Sequence, residues 1–212
     1  LVVMIDWDHN AYYHRYLLGL LPQGFHRVLD VGCGVGVFAS RLAQRSEHVD
    51  AIDRSEVMVA AARSRTPGNV VCLQRDVLTD PLPQREYDAI LSISALHHMP
   101  LDQVLPILAS ALRPGGVLAA VALPRRDLLR EFHVELAASI AHRILGVLYA
   151  LKRVWWGRAR YGKDATYTDM PVVMDPPLTT REVSTLASKV LPGVKVRRLL
   201  FWRYSLMWTK PE

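Results

Sequence analysis

Cysteine is nearly absent. Cys33 and Cys72 are the two thiols in 212 residues, too few for a disulfide framework, and they suit a reducing compartment. Long apolar runs are missing as well. The richest stretch, Val134 to Leu151, is interrupted by Glu135, His142 and Arg143 and is too charged to span a bilayer. The opening residues, Leu1 to Asn10, hold Asp6 and Asp8 and lack the basic-then-apolar order of a secretion signal, so a cytoplasmic location is expected. No grouping of His, Cys, Asp and Glu has the spacing of a metal site, and the adjacent pair His97-His98 does not make one by itself. No internal repeat or low-complexity tract is present.

What is there is an ordinary globular balance, half hydrophobic and 22% charged, at a length suited to one domain. The formal net charge of +6 gathers late in the chain. Residues 1–123 hold 10 Lys/Arg against 12 Asp/Glu, and residues 124–212 hold 16 against 8. A basic surface can attract nucleic acid, anionic lipid or an acidic substrate, and it can equally be solvated arginine on helix faces.

The first two-thirds alternates strand and helix signals. Strands are expected at Val28–Val31, His48–Ile52, Asn69–Leu73, Tyr87–Ile93 and Val117–Leu123. Helices are expected at Val35–Gln44, at Ser55–Arg65 with Ser55 as N-cap, and at Leu101–Leu112, stopped by Arg113-Pro114-Gly115-Gly116. Repeated units of this length imply a parallel sheet with right-handed crossovers. Residues 127–156 then read as one long helical stretch, or two broken near Gly146, with Leu136, Ile140, Ile144 and Val147 as the core-facing stripe, and 157–177 as loop. A helix over Thr179–Val190 has a capping-box spacing between Thr179 and Glu182, and Val194–Leu200 and Trp202–Trp208 can pair as antiparallel strands. The expected fold is therefore α/β, Rossmann-like and doubly wound, with a seven-stranded, mostly parallel sheet whose last strand is antiparallel. An N-terminal helix and a helical insertion after the fifth strand complete it.

Chemistry concentrates at Val28-Leu29-Asp30-Val31-Gly32-Cys33-Gly34-Val35-Gly36, where a strand ends, glycines turn the chain and a helix begins. Such a turn admits a ligand close to the backbone, and the helix start offers amide donors. Gly34 to Ala39 also fits the dinucleotide pattern G-x-G-x-x-A, which brings a nicotinamide enzyme into consideration. Asp30 argues against it: a carboxylate there repels a pyrophosphate but suits the ammonium of S-adenosylmethionine. Asp53, at the end of the second strand, can accept from two ribose hydroxyls.

These segments, with Ala51–Ser55, Arg75-Asp76-Val77, Tyr87–Ile90, Ala95–Met99 and Leu112–Gly116 in this order, resemble the class I S-adenosylmethionine-dependent methyltransferases, of the small-molecule type with the motif D-x-G-C-G-x-G. The resemblance implies that Asp30, Gly32, Cys33 and Gly34 hold the methionine end and Asp53 the ribose. Arg54 and Met58 would lie along the adenine, Asp76 would accept from its exocyclic amine, Val77 would form an apolar wall, and Ser94 would sit near the sulfonium. In similar enzymes an N-terminal helix closes over the donor, a part that falls here to Tyr13 and His14; the alternative is a helix simply packed on the sheet. The expected cofactor is S-adenosyl-L-methionine, with S-adenosyl-L-homocysteine as product.

His97 and His98 follow the fourth strand, where the sheet's carboxyl end opens onto a crevice, so either can act as base or orient the acceptor. Phe132, Trp155, Trp156 and Tyr161 are candidates for an apolar acceptor pocket. Lys152, Arg153, Arg158 and Arg160 after an apolar run also allow contact with a membrane surface. Nucleic acid is disfavoured as acceptor. The Asp/Asn-Pro-Pro-aromatic motif of base-amine methylation is missing after the fourth strand, and Asp175-Pro176-Pro177-Leu178 reads as a stiff loop. The expected layout is a lid over 1–24, a cofactor core over 25–123, an acceptor-selecting insertion over 124–178 and a closing helix with strand pair over 179–212. The rival readings are a nicotinamide-dependent oxidoreductase and a non-methylating protein on the same scaffold.

Overall fold

The computed structural model describes residues 9–21, 24–127, 140, 141, 143, 144 and 176–212. In chain order it contains α1 (His9–Leu20), β1 (Phe25–Val31), α2 (Val37–Leu42), β2 (Ser46–Asp53), α3 (Glu56–Arg63), β3 (Val70–Gln74) and β4 (Tyr87–Ile93). A 3-10 turn (Leu96–His98), α4 (Leu101–Ala111), β5 (Leu112–Ala122), α5 (Thr180–Val190), β6 (Lys195–Leu199) and β7 (Arg203–Thr209) follow.

The strands form one sheet in the order β3-β2-β1-β4-β5-β7-β6. β7 runs antiparallel to both its neighbours, and the other described pairs are parallel. The seven-stranded sheet with an antiparallel last strand is thus as the sequence leads one to expect. Alternation along the strands sorts the core into two layers. Val28, Val49, Ala89 and Val121 meet Leu17 of α1, Phe38 of α2 and Val59 of α3 on one face. Leu29, Ile90, Leu118 and Leu206 meet Leu105 of α4 and Val183 of α5 on the other. Strand order reverses between β1 and β4, so their carboxyl ends diverge and leave a crevice.

Local signals hold at several ends. Ser55 caps α3, accepting from the Met58 amide at 3.4 Å. Thr179 and Glu182 form both halves of the capping box of α5. Three readings change. Arg113–Gly116 is no stop between helix and strand: β5 begins directly after α4, and the four residues bulge out of it, since Tyr87 pairs with Leu112 and Ala89 with Val117. A Cβ on Gly116 would lie 2.8 Å from the Arg113 carbonyl oxygen, which explains the glycine there. Next, α2 begins at Val37, because Gly36 at φ 78° precedes it as N-cap. Ile140 and Ile144, expected on a core-facing stripe, are exposed, while Ala141 packs on the core; Leu136 and Val147 lie outside the described residues.

Candidate active site

Asp30 stands one residue before the end of β1, with 1% of its surface exposed. The Ala39 amide of α2 donates to its carboxylate, while Oδ2 has no hydrogen-bond partner. Burial above all, then the neighbouring Asp53 charge, raise its pKa to about 7, and the Ala39 amide opposes them. A buried acid with one unmatched oxygen, beside a second acid, is a site suited to a cation.

Asp53 closes β2 and ties two elements together. Its Oδ2 accepts from the Gly34 amide and its Oδ1 from the Ser55 amide, both at 2.9 Å. Each oxygen keeps a second lone pair with which to accept from a hydroxyl. The glycine turn itself differs from expectation. Gly32 and Cys33 both donate to the Ile52 carbonyl at 2.8 and 3.0 Å, Gly36 donates to Cys33, and Gly34 is held by Asp53, so these amides serve the turn rather than a ligand. What the glycines provide is closeness. A Cβ on Gly32, at φ 73°, would come within 2.2 Å of the Ala95 Cβ. Cys33 is buried, and burial, reinforced by Asp30 and Asp53, pushes its thiol well above the ordinary range, leaving it inert.

Further round the crevice, Met58 of α3 and Val77 are buried and Arg54 is exposed. Asp76 follows β3, its Oδ1 accepting from the Leu78 amide at 3.0 Å and its own amide donating to Asp80. Ser94 follows β4 in the left-handed region at φ 55°, where its amide donates to the Val121 carbonyl at 2.7 Å. Its hydroxyl donates to Asn10 Oδ1 of α1 at 2.6 Å, and the same oxygen accepts from Arg203 Nη2 of β7 at 3.1 Å.

Tyr13 and His14 are buried on the packed side of α1. The Tyr13 hydroxyl donates to the Leu200 carbonyl in the β6–β7 turn, and the ring is buried against Tyr12 and Tyr16. The His14 ring lies 4.8 Å from that of Phe38. It is Asn10, one turn earlier, that reaches the end of β4. Phe132, Trp155, Trp156 and Tyr161 lie outside the described residues.

Residues 28–116 match a family described as a methyltransferase domain. Over 97% of its length the chain is 31% identical to an uncharacterised methyltransferase of Mycobacterium tuberculosis, covering 98% of that protein. The chain belongs to the class I S-adenosylmethionine-dependent methyltransferases. A trans-aconitate 2-methyltransferase of Variovorax paradoxus is 38% identical over 130 residues, 55% of this chain and 49% of that one. The fold matches the crystal structure of an S-adenosylmethionine-dependent methyltransferase from Mesorhizobium loti with a TM-score of 0.62 at 20% identity, over 94% of this chain and 98% of that one. Membership excludes the nicotinamide reading of the glycine turn.

S-adenosylmethionine is therefore the cofactor, and the crevice of this methyltransferase fits it. Asp30, with its unmatched buried oxygen, would hold the donor's ammonium, and Asp53, with its free lone pairs, would hold the ribose. The donor bound there would supply a methyl group on positive sulfur. Beside the crevice, the His97 and His98 rings lie with centroids 4.1 Å apart, tilted by 35°. His97 is buried, with Nδ1 unpartnered, and burial, helped by the charges of His98 and Arg203, lowers its pKa to about 3. His98 is lowered by burial and by Arg54, with Asp53 opposing. Both rings are therefore neutral near pH 7. A small apolar cavity beside His97 is lined by Leu96, Met99, Leu123, Pro177, Leu178 and Tyr204. Among the described residues, no group of three or more His, Cys, Asp or Glu could hold a metal, and no helix is long and apolar enough to cross a membrane.

Proposed function

We propose that this methyltransferase acts on a small-molecule acceptor, at oxygen, nitrogen or sulfur, by direct displacement on the donor's methyl group. The observation that supports the reading is the likeness to a trans-aconitate 2-methyltransferase, 38% identical over 130 residues. The cavity beside His97, walled by the turn after β4, the end of β5 and the loop before α5, is chiefly apolar and holds about one water molecule, so it marks an edge of the acceptor's place and not the whole of it.

In this reading His97 orients rather than deprotonates. An imidazole whose pKa is about 3 is a poor base at neutral pH, but its unpartnered Nδ1 can hold an acceptor by one hydrogen bond. Alignment of attacking atom, methyl and leaving sulfur is the main contribution of such a site. We assign acceptor selection to residues 124–178. The ends of that segment support the assignment: Arg126 stacks over Trp202 at 5.7 Å, Ala141 packs on the cluster containing Tyr13 and Phe201, and Pro176 and Pro177 line the His97 cavity. The test is release of S-adenosylhomocysteine from S-adenosylmethionine across a panel of small acids, alcohols, amines and thiols, with RNA and DNA as parallel acceptors. Turnover with a small compound alone is expected; turnover confined to nucleic acid would refute the reading.

A further inference from the structure

Arginine can only donate hydrogen bonds, and this fixes the sense of a chain of bonds that ends at the reacting centre. Arg203 Nη2 lies 3.1 Å from Asn10 Oδ1, and its Nη1 lies 3.3 Å from the carbonyl oxygens of Phe201 and Trp202. The Asn10 side-chain atom facing Arg203 must therefore be its oxygen, and the amide cannot flip without setting two donors against each other. That same oxygen lies 2.6 Å from Ser94 Oγ, so the serine hydroxyl is obliged to donate its proton towards α1. Its own lone pairs then face away from Asn10. The backbone at Ser94, at φ 55° and anchored by its amide to Val121, holds the hydroxyl in place. Ala95, the next residue, is the one a Cβ on Gly32 would strike, so this corner of β4 packs directly on the donor's glycine turn.

We infer that Asn10, set by Arg203, is a positioning residue that turns the Ser94 oxygen lone pairs towards the donor's positive sulfur, so that the site distinguishes the sulfonium donor from its neutral thioether product. The inference rests on the reading that the donor's sulfur lies at the end of β4. An oxygen lone pair facing a cation favours the charged ligand, whereas a hydroxyl free to rotate loses part of that preference to competing orientations. A chain with this polarity favours the reactant over the product at the atom whose charge changes.

The experiment is calorimetric binding of S-adenosylmethionine and S-adenosylhomocysteine to the full chain. The variants are Asn10→Leu, which removes the acceptor, Asn10→Asp, which keeps it, and Ser94→Ala, which removes the oriented oxygen. Asn10→Leu and Ser94→Ala are expected to weaken S-adenosylmethionine by about fivefold, the weight of one such hydrogen bond, and to leave S-adenosylhomocysteine nearly unchanged. Asn10→Asp is expected to bind the donor at least as well as wild type, and the double variant Asn10→Leu/Ser94→Ala to lose no more than Ser94→Ala alone. A merely structural role would move both ligands together or shift only the melting temperature, and either outcome overturns the inference. Should Asn10→Leu fail to fold, Ser94→Ala decides by the same ratio. Wild-type protein that binds neither ligand would instead refute the placement of the donor site, and with it the inference.

Discussion

Replacing Asp30 by Asn should stabilise the ligand-free protein while weakening its hold on the donor, and both effects have one origin. Raising the acid's pKa from 3.8 to about 7 makes ionisation inside the fold cost about 4 kcal/mol more than in the unfolded chain, with 1.36 kcal/mol for each pH unit. Between those pH values the folded state holds a proton that the unfolded state has released. Stability therefore falls as pH rises through that window, is fully depressed above about 7 and escapes the penalty below 3.8. Asn has no charge to desolvate. Its carbonyl oxygen can keep the Ala39 amide, but its NH2 group takes the place of an oxygen that has no partner. A buried unmatched donor costs about 1–3 kcal/mol.

The net gain at pH 8 is then about 1–3 kcal/mol, shrinking as pH falls and becoming a comparable loss near pH 4. Urea denaturation of Asp30→Asn and wild type at a series of pH values gives this as a difference, in which the other titrating groups cancel. Donor affinity of the variant should drop by about 10- to 100-fold, the weight of a charged hydrogen bond. In the wild type, donor affinity should fall by up to about tenfold for each pH unit below 7, since binding an ammonium must expel the proton. A variant that is less stable than wild type at pH 8, by an amount that does not vary with pH, would refute the assignment of a buried, cation-seeking acid.

Gly32→Ala puts a Cβ 2.2 Å from that of Ala95, on backbone at φ 73°; a loss of about 2–4 kcal/mol in chemical denaturation is expected, with donor binding impaired in the fraction that folds. His14 is buried and neutral, its pKa lowered from 6.5 to about 3 by burial and then by Arg41, so protonation favours the unfolded chain below 6.5. His14→Leu should therefore resist acid better than wild type, the gap opening by up to about 1.4 kcal/mol for each pH unit between 6.5 and 3. Thr179→Ala removes a helix cap and should cost about 1 kcal/mol of unfolding free energy while leaving donor affinity intact. His97→Ala should lower kcat/KM by about tenfold with its ratio to wild type flat from pH 6 to 8, as for a lost orienting bond; a loss of about 10²–10⁴ whose ratio to wild type changes with pH in that range would make His97 the base.

The parts of this molecule that a linear reading finds are those whose cause is local. The glycine turn, the Ser55 and Thr179 caps and the alternation of β4 each express a constraint spanning a few residues, and each stands where the sequence puts it. The Arg113–Gly116 segment was open to misreading because Pro and Gly mark a helix stop and a strand bulge with the same letters; only the pairing of Tyr87 with Leu112 separates the two. The protonation of the histidines is hard to read from sequence for another reason. A side chain's ordinary pKa is a property of water, and His97 is enclosed by α4, β5, α5 and β7, elements from far along the chain. Least legible was the link from Arg203 to Ser94. Arg203 lies 193 residues from Asn10 and looks like one more cation in a basic C-terminal part, and β7 delivers it to the mouth of the crevice only because that strand runs against all the others. A reversed last strand brings its first residue, rather than its last, to the carboxyl ends of β4 and β5. The same reversal places residues after β6 beside Asn10 and Ser94, which is why the residue that sets Ser94's proton can come from the far end of the sequence.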